Sequence, residues 1–384
     1  MMKLAIVNAS SFYSDENGNS LISADELKSL SQWFNIFDDV TLLKPRLTKR
    51  GKFVDDWEPV PKNIKTVEIC KAEDGLRTKY AKISKIASAA AQYDMLYYRL
   101  PNYESLFFWM NQPKSVPYFV ELHGDMESAV MASSKPYWVK KPLSKLLRKI
   151  FTQMASRAKF ALSIGPALID RYIKSDIPTY ATTNHLLSEA DYPSCVSYKE
   201  ISETLNLLFV GHIHNRKGLT YLFEALDMLK RSGKKFIMRL AGQGELESWL
   251  RQYSITHEFA ENVKFLGQIK HGPALFELYK QADMFILPSV AAEGVPRVTH
   301  EAMAFGCPVI ATDIGSLRWQ LQNGGGIIVP PGNSNAICQA IINISADNEL
   351  RKDIITCGFE RSKQFSLEKQ AEGIKKFVIN QLKQ

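Results

Sequence analysis

The segment 293–312 limits the possible folds more than any other stretch of the chain. It reads Glu293-Gly294-Val295-Pro296-Arg297-Val298-Thr299-His300-Glu301-Ala302-Met303-Ala304-Phe305-Gly306-Cys307-Pro308-Val309-Ile310-Ala311-Thr312. Pro296 suits the first position of a helix, where its missing N–H is not needed. Residues 298–305 continue that helix, and Gly306 is a natural residue just past its end. The apolar run 309–311 then reads as a buried strand. Glu293 and Gly294 therefore lie in the loop at the helix N-terminus, where free N–H groups and the helix dipole favour an anion. Glu301 lies inside the helix, so two carboxylates flank that anion site. Such a site suits a diphosphate with hydroxyl-bearing groups on both sides. An ordinary helix carrying two surface glutamates is the alternative.

At 384 residues, 45% hydrophobic and 23% charged, the chain has a globular composition and enough length for two domains. No apolar run approaches the about 20 residues that span a bilayer. The N-terminus is expected to be a first strand and not a signal peptide. Cys70, Cys195, Cys307, Cys338 and Cys357 show no CxxC spacing. They fit a reducing cytosol, with neither a disulfide framework nor a metal site. The formal charge is +8, and residues 131–180 alone hold ten Lys/Arg against two Asp. The whole surplus sits in one stretch, which points to an anionic partner surface.

In the first half, strands are predicted at 3–8, 40–43, 94–101, 117–125, 159–165 and 179–183, with helices at 21–37 and 79–93. Residues 44–65 read as a surface excursion. Arg99 ends one strand, either to meet an anionic acceptor or to form an ion pair at the strand end. His123-Gly124 ends another, at the carboxyl edge where α/β folds gather their functional groups. The alternative for His123 is a buried imidazole satisfied by its neighbours. Asp125 and Glu127 follow, either to orient an acceptor hydroxyl or to cap the next helix. Leu143, Leu146, Leu147, Ile150, Phe151 and Met154 form one apolar helical stripe, flanked by Lys140, Lys141, Lys145, Arg148 and Lys149 and preceded by Tyr137 and Trp138. The face suits an anionic membrane surface, or else packs into a core and exposes a solvated basic side. No nucleic-acid motif accompanies it, so no nucleic-acid partner is expected.

A polar linker at 188–204 precedes a second run of the same pattern. Strand 205–211 leads through His212-Ile213-His214-Asn215-Arg216-Lys217-Gly218 into a helix at 220–231. Strand 236–241 opens onto Gly242-Gln243-Gly244-Glu245, strand 262–267 onto Gln268, and strand 283–289 onto the opening segment.

A Glu, seven residues and a second Glu before Gly-x-Pro-Val-Ile-Ala resembles the signature of the retaining glycosyltransferases of family 4. Val210-Gly211, a short loop and Lys217-Gly218 before a helix is similar to that family's diphosphate loop. The family usually has Arg where this chain has His212, and a glycine pair in its first loop where this chain has only Gly18. The resemblance implies the GT-B fold: α/β, with two Rossmann-like doubly wound domains facing a central cleft. It places an acceptor-binding domain at 1–197, a nucleotide-sugar domain at 198–365, and a C-terminal helix at 366–384 packing back on the first domain. It implies catalytic roles for His123, Lys217 and Glu293. Donor binding falls to Arg216, His212, Gly242, Gly244, Gln268, Gly294, Val295 and Glu301, with Arg99 and Asp125 on the acceptor side. No Asp-x-Asp occurs in the sequence, and neither metal nor cofactor is expected. The implied reaction is metal-independent transfer from a nucleotide sugar to a saccharide, lipid-linked, in bacterial surface polysaccharide synthesis. The implied location is the cytoplasm, with peripheral attachment to the inner face of the membrane. A nucleotide-sugar epimerase and a catalytically silent carbohydrate- or membrane-binding scaffold are the competing readings.

Overall fold

Both faces of the first sheet are apolar, which is why it lies between two helical layers. Along the first strand, Ala5 and Val7 enter one core while Leu4 and Ile6 enter the other. A parallel strand buried on both sides needs this double pattern. The computed structural model describes residues 2–49, 57–131, 136–196, 198, 200–291 and 294–383. The contact pattern divides the chain into Met1–Leu186 with Ala371–Gln384, and Leu187–Gln370.

Strands of the first unit, among the described residues, are β1 (Lys3–Val7), β2 (Tyr13–Ser14), β3 (Ser20–Ser23), β4 (Asp39–Arg46), β5 (Trp57–Pro59), β6 (Lys65–Lys71), β7 (Met95–Leu100), β8 (Tyr118–Leu122), β9 (Ala161–Ile164) and β10 (Thr179–Thr182). Seven form one parallel sheet in the order β10-β9-β8-β7-β1-β4-β6. The order reverses between β1 and β7, and such a reversal opens a crevice at the carboxyl ends of the strands. A small antiparallel sheet, β2-β3-β5, adjoins it where Phe12, just before β2, bridges to Arg46 of β4.

The second unit holds β11 (Thr204–Val210), β12 (Lys235–Ala241), β13 (Val263–Gly267), β14 (Met284–Leu287), β15 (Val309–Thr312) and β16 (Ile327–Val329). They form a parallel sheet in the order β13-β12-β11-β14-β15-β16, which reverses between β11 and β14. One continuous core runs under it. The last helix, Leu367–Lys383, starts in this unit and ends in the first, where Ile374 and Val378 are buried.

Several expectations are corrected. The helix expected at 21–37 begins only at Ala24 and ends at Phe34, because Ser20–Ser23 pair as β3 with β2 and β5. The supposed surface excursion at 44–65 starts inside β4, where Lys44 is fully buried against Glu26, Nζ to Oε1 2.5 Å. Residues 50–56 of that stretch lie outside the described residues. The helix expected at 79–93 runs over Leu76–Ala87, followed by a short 3₁₀ turn at Ala90–Gln92. β6 is not among the expected strands. Pro296 caps the helix Arg297–Ala304 from outside with φ −62° and ψ 130°, one residue before the position expected.

Candidate active site

The reversal between β11 and β14 gathers four loops of the second unit at one edge. After β11, Gly211 leads into a 3₁₀ turn, Asn215–Lys217, and Gly218 at φ +63° starts the helix Leu219–Arg231. The His214 ring accepts from the Arg216 N–H at 3.2 Å and so shapes the turn. Burial holds the His214 imidazole below its usual range. The positive charges of Lys217 and Arg216 add to that against the pull of Glu245. Val290, just past β14, donates its N–H to the Arg216 carbonyl at 2.9 Å. A side chain at Gly218 would run into the Pro288 carbonyl, so the two loops meet backbone to backbone.

The loop after β12 is seated the same way. Gly242 donates to the Gly267 carbonyl at 2.7 Å, and Ile213 donates to Gln243 at 3.0 Å. A Cβ on Gly242 would overlap the Gly211 carbonyl, and one on Gly244 the Ile213 carbonyl. Only glycine permits that approach. The Gln243 side chain then reaches Gln268 at 3.2 Å, beyond β13.

The fourth loop leads into the helix Arg297–Ala304. Glu293 lies outside the described residues. Gly294 accepts from the Ser316 N–H at 3.3 Å, and Val295 is buried. The Pro296 carbonyl accepts from Thr299 Oγ1 at 2.7 Å and from Gln320 Nε2 at 3.0 Å. Gln320 also bonds the buried His300 ring, which ties the helix start to the loop after β15. Glu301 is 3% exposed. Its Oε2 accepts from the Tyr279 hydroxyl at 2.8 Å, and its Oε1 lies 3.5 Å from His271 Nε2. Neither Tyr279 nor His271 is among the residues that the sequence singles out. Both sit in the β13–β14 connection, which spacing along the chain does not link to Glu301.

His212, Arg216, Lys217, Gly242, Gly244, Gln268, Gly294, Val295 and Glu301 thus share one carboxyl edge, with Arg216 exposed and Lys217 half-buried. Among the described residues no group of three or more His, Cys, Asp or Glu is arranged to hold a metal ion.

In the first unit His123 follows β8, its N–H bonded to the Leu100 carbonyl at 2.8 Å and its Nε2 2.9 Å from Glu121 Oε2. Arg99 takes the ion-pair alternative: Nε is 3.6 Å from Glu121 Oε2, and Nη2 donates to Ser29 Oγ at 3.1 Å. Asp125 Oδ1 accepts from the Tyr172 hydroxyl at 2.5 Å, lies 3.1 Å from Arg171 Nε, and accepts at 3.4 Å from the Glu127 N–H in the first turn of the helix Met126–Met131. This is the capping arrangement. Glu127 pairs with Arg171 at 2.7 Å and with Arg148 at 3.2 Å. The basic helix spans Tyr137–Ser156. Leu147, Phe151 and Met154 are buried, whereas Leu146, expected in the same stripe, is 55% exposed. Lys141, Lys145, Arg148 and Lys149 are exposed, and Lys140 is half-buried with its Nζ on the Met131 carbonyl. No helix among the described residues is long and apolar enough to cross a membrane.

Residues 197–361 match the family profile described as glycosyl transferases group 1. A phosphatidyl-myo-inositol mannosyltransferase of Mycobacterium leprae is 24% identical over 275 residues, 71% of this chain and 70% of that protein. The amylovoran biosynthesis glycosyltransferase AmsK of Erwinia amylovora is 29% identical over 151 residues, covering 38% of this chain and 37% of its own length. The crystal structure of Anabaena Alr3699/HepE in complex with UDP superposes with a TM-score of 0.69 at 16% identity, over 99% of this chain and 100% of that one. The likeness shows a shared fold across both units. With a doubly wound parallel sheet in each unit the chain has the GT-B fold, and its residues 197–361 match the glycosyl transferases group 1.

Proposed function

We propose that the chain moves a sugar from a nucleoside diphosphate to a saccharide hydroxyl, with retention at the anomeric carbon and without a metal ion. One observation carries this reading. The cationic turn Asn215–Lys217 and the Glu301 carboxylate stand at the same carboxyl edge, on the two sides of the β11–β14 reversal. In the proposed reaction the bond from the anomeric carbon to the diphosphate oxygen breaks. The acceptor oxygen bonds to that carbon on the same face, and its proton passes to the leaving phosphate. Lys217 and Arg216, with the N–H groups at 294–295, offset the charge that builds on the leaving group. Glu301 holds ribose hydroxyls and Glu293 the sugar, while His123 acts on the transferred sugar.

Uridine is the first base to test, because the Anabaena neighbour was solved with UDP. The mycobacterial relative is named for a phosphatidylinositol, which supports a lipid-linked acceptor. The basic helix fits that acceptor. Trp138 is 77% exposed and Tyr137 63%, and Lys141, Lys145 and Lys149 repeat along the same outward side. Aromatic rings at headgroup level and lysines over anionic lipid are the two parts of interfacial binding. The proposed setting is therefore the cytoplasmic side of a membrane.

The test is Lys217→Ala, read by release of nucleoside diphosphate with an acceptor present. We expect kcat to fall by roughly 10²–10³ and donor binding to weaken with it. An unchanged rate removes Lys217 from the site. Interconversion of the donor sugar with no diphosphate released points to an epimerase instead.

A further inference from the structure

The carboxyl edge of the first unit's sheet holds a buried charge cluster of which the proposed reaction uses only His123. Along β8, side chains two residues apart share a face, so Phe119, Glu121 and His123 line up. Phe119 stacks between Tyr97 at 5.0 Å and Phe160 at 4.6 Å, which puts Glu121 at the top of an aromatic column. A carboxylate in that position loses its water and needs partners. It has three: the Tyr97 hydroxyl donates to Oε2, Arg99 Nε lies 3.6 Å from the same oxygen, and His123 Nε2 lies 2.9 Å from it. Behind Arg99, Lys44 pairs with Glu26 at 2.5 Å and donates to Ser10 Oγ at 2.8 Å. Two cations, Lys44 and Arg99, therefore already balance two carboxylates, Glu26 and Glu121, before His123 is counted. Tyr97, Glu121, Lys44 and Glu26 are buried and Arg99 nearly so, whereas the imidazole is 24% exposed. The ring is the cluster's outlet to the surface.

We propose that Glu121 is a positioning residue for His123: Oε2 receives the Nε2–H, which fixes the ring plane and the tautomer and leaves Nδ1 as the accepting nitrogen. Tyr97 and Arg99 hold the carboxylate so that it does not turn away from the ring. A carboxylate behind an imidazole is a general means of setting which nitrogen carries the proton. The inference rests on the role proposed above for His123.

The experiment combines a double-mutant cycle on the full-length chain with ring NMR. Glu121→Gln keeps the volume and removes the charge. Its kcat should fall roughly tenfold with His123 present, within the range for residues in contact. It should cost nothing further in a His123→Ala background, and the donor KM should stay unchanged. An equal loss in both backgrounds marks Glu121 as merely structural and overturns the proposal, as does wild-type activity in Glu121→Gln. Should Glu121→Gln fail to fold, Tyr97→Phe removes one support from the same carboxylate. It should give a smaller loss, about threefold, again only when His123 is present.

The NMR arm needs no catalysis. In the wild type, ¹⁵N spectra of the His123 ring should show the proton on Nε2, and in Glu121→Gln a mixture of tautomers. A mixed tautomer in the wild type, or an identical ring in both, overturns the proposal. Full activity in His123→Ala beside the expected ring spectra would remove His123 from the reaction and leave its pairing with Glu121 standing. The two failures are thereby separable.

Discussion

Gly218 shows how a single residue sets the site. Its φ of +63° is left-handed, and a Cβ there would meet the Pro288 carbonyl. Gly233 has φ +78° with nothing within 4 Å of the place a Cβ would take, so it isolates the backbone contribution. Gly233→Ala should destabilise by about 1–2 kcal/mol in urea unfolding. Gly218→Ala should cost clearly more, because the loops after β11 and β14 must separate. Equal values for the two would mean that the close approach of the loops has no energetic weight. Glu121 carries a second prediction. Burial alone would raise its pKa, but His123, Arg99 and the Tyr97 hydroxyl outweigh that and bring it from 4.5 down to about 2. A folded value below the unfolded one gives stability that is present above the unfolded value and is lost as pH falls through the folded one. The stability gap between wild type and Glu121→Gln should therefore narrow as pH drops from about 4.5 to about 2. A gap constant across that window would mean that the carboxylate is not stabilised by those partners. The place of Glu301 inside a helix was legible from the pattern around it. Its partners Tyr279 and His271 were not, because that pairing depends on how β13 and β14 are placed in the sheet. Glu121 could have been found, since alternation along a strand puts it on the face of His123.

The helix Tyr137–Ser156 poses its question at the scale of an element. Helical periodicity places Leu147, Phe151 and Met154 on the buried side, and they are buried. The same pattern includes Leu146, which points outward, because a six-residue stripe is wider than the face this helix packs. The two sides predict different behaviour. Replacing Trp138 with Ala and Lys141, Lys145 and Lys149 with Glu should abolish sedimentation with phosphatidylglycerol vesicles and leave the melting temperature nearly unchanged. Phe151→Ala should lose about 3–5 kcal/mol of stability with vesicle binding retained in the folded fraction. Undiminished vesicle binding in the first variant would make the basic side a solvated surface and nothing more. β6 escapes a reading of the sequence for a different reason. It closes one edge of the sheet, and its polar residues Lys65, Thr66, Glu68 and Lys71 are what an edge strand carries to avoid pairing with other chains. Its burial is too incomplete to leave an apolar run in the sequence.

For the molecule as a whole, alternating strand and helix signals made two doubly wound units legible, because each parallel connection needs a crossover helix. The order of the strands was not legible, since apolar runs do not say which neighbour each strand takes. The path of the final residues follows from that order and has a consequence for stability. The segment Ala371–Gln384 belongs to the first unit, although all of Leu187–Gln370 precedes it in the chain. Phe377 packs against Phe160 at 5.7 Å and Tyr180 at 5.4 Å, and Gly373 lets the Tyr180 hydroxyl come close to the helix backbone. Ile374 and Val378 are buried beside them. Burying Ile374 and Val378 contributes roughly 1.5–3 kcal/mol each, and the half-buried Phe377 adds a smaller share. The sum is comparable with the whole stability of an ordinary domain, about 5–15 kcal/mol. A chain ended after Gln370 should therefore lose amide-exchange protection in β1, β8 and β9 while β11, β12 and β14 keep theirs. If β8 and β9 stay fully protected in that truncation, the first unit completes its core without the returning helix, and the last residues of the chain serve some other end.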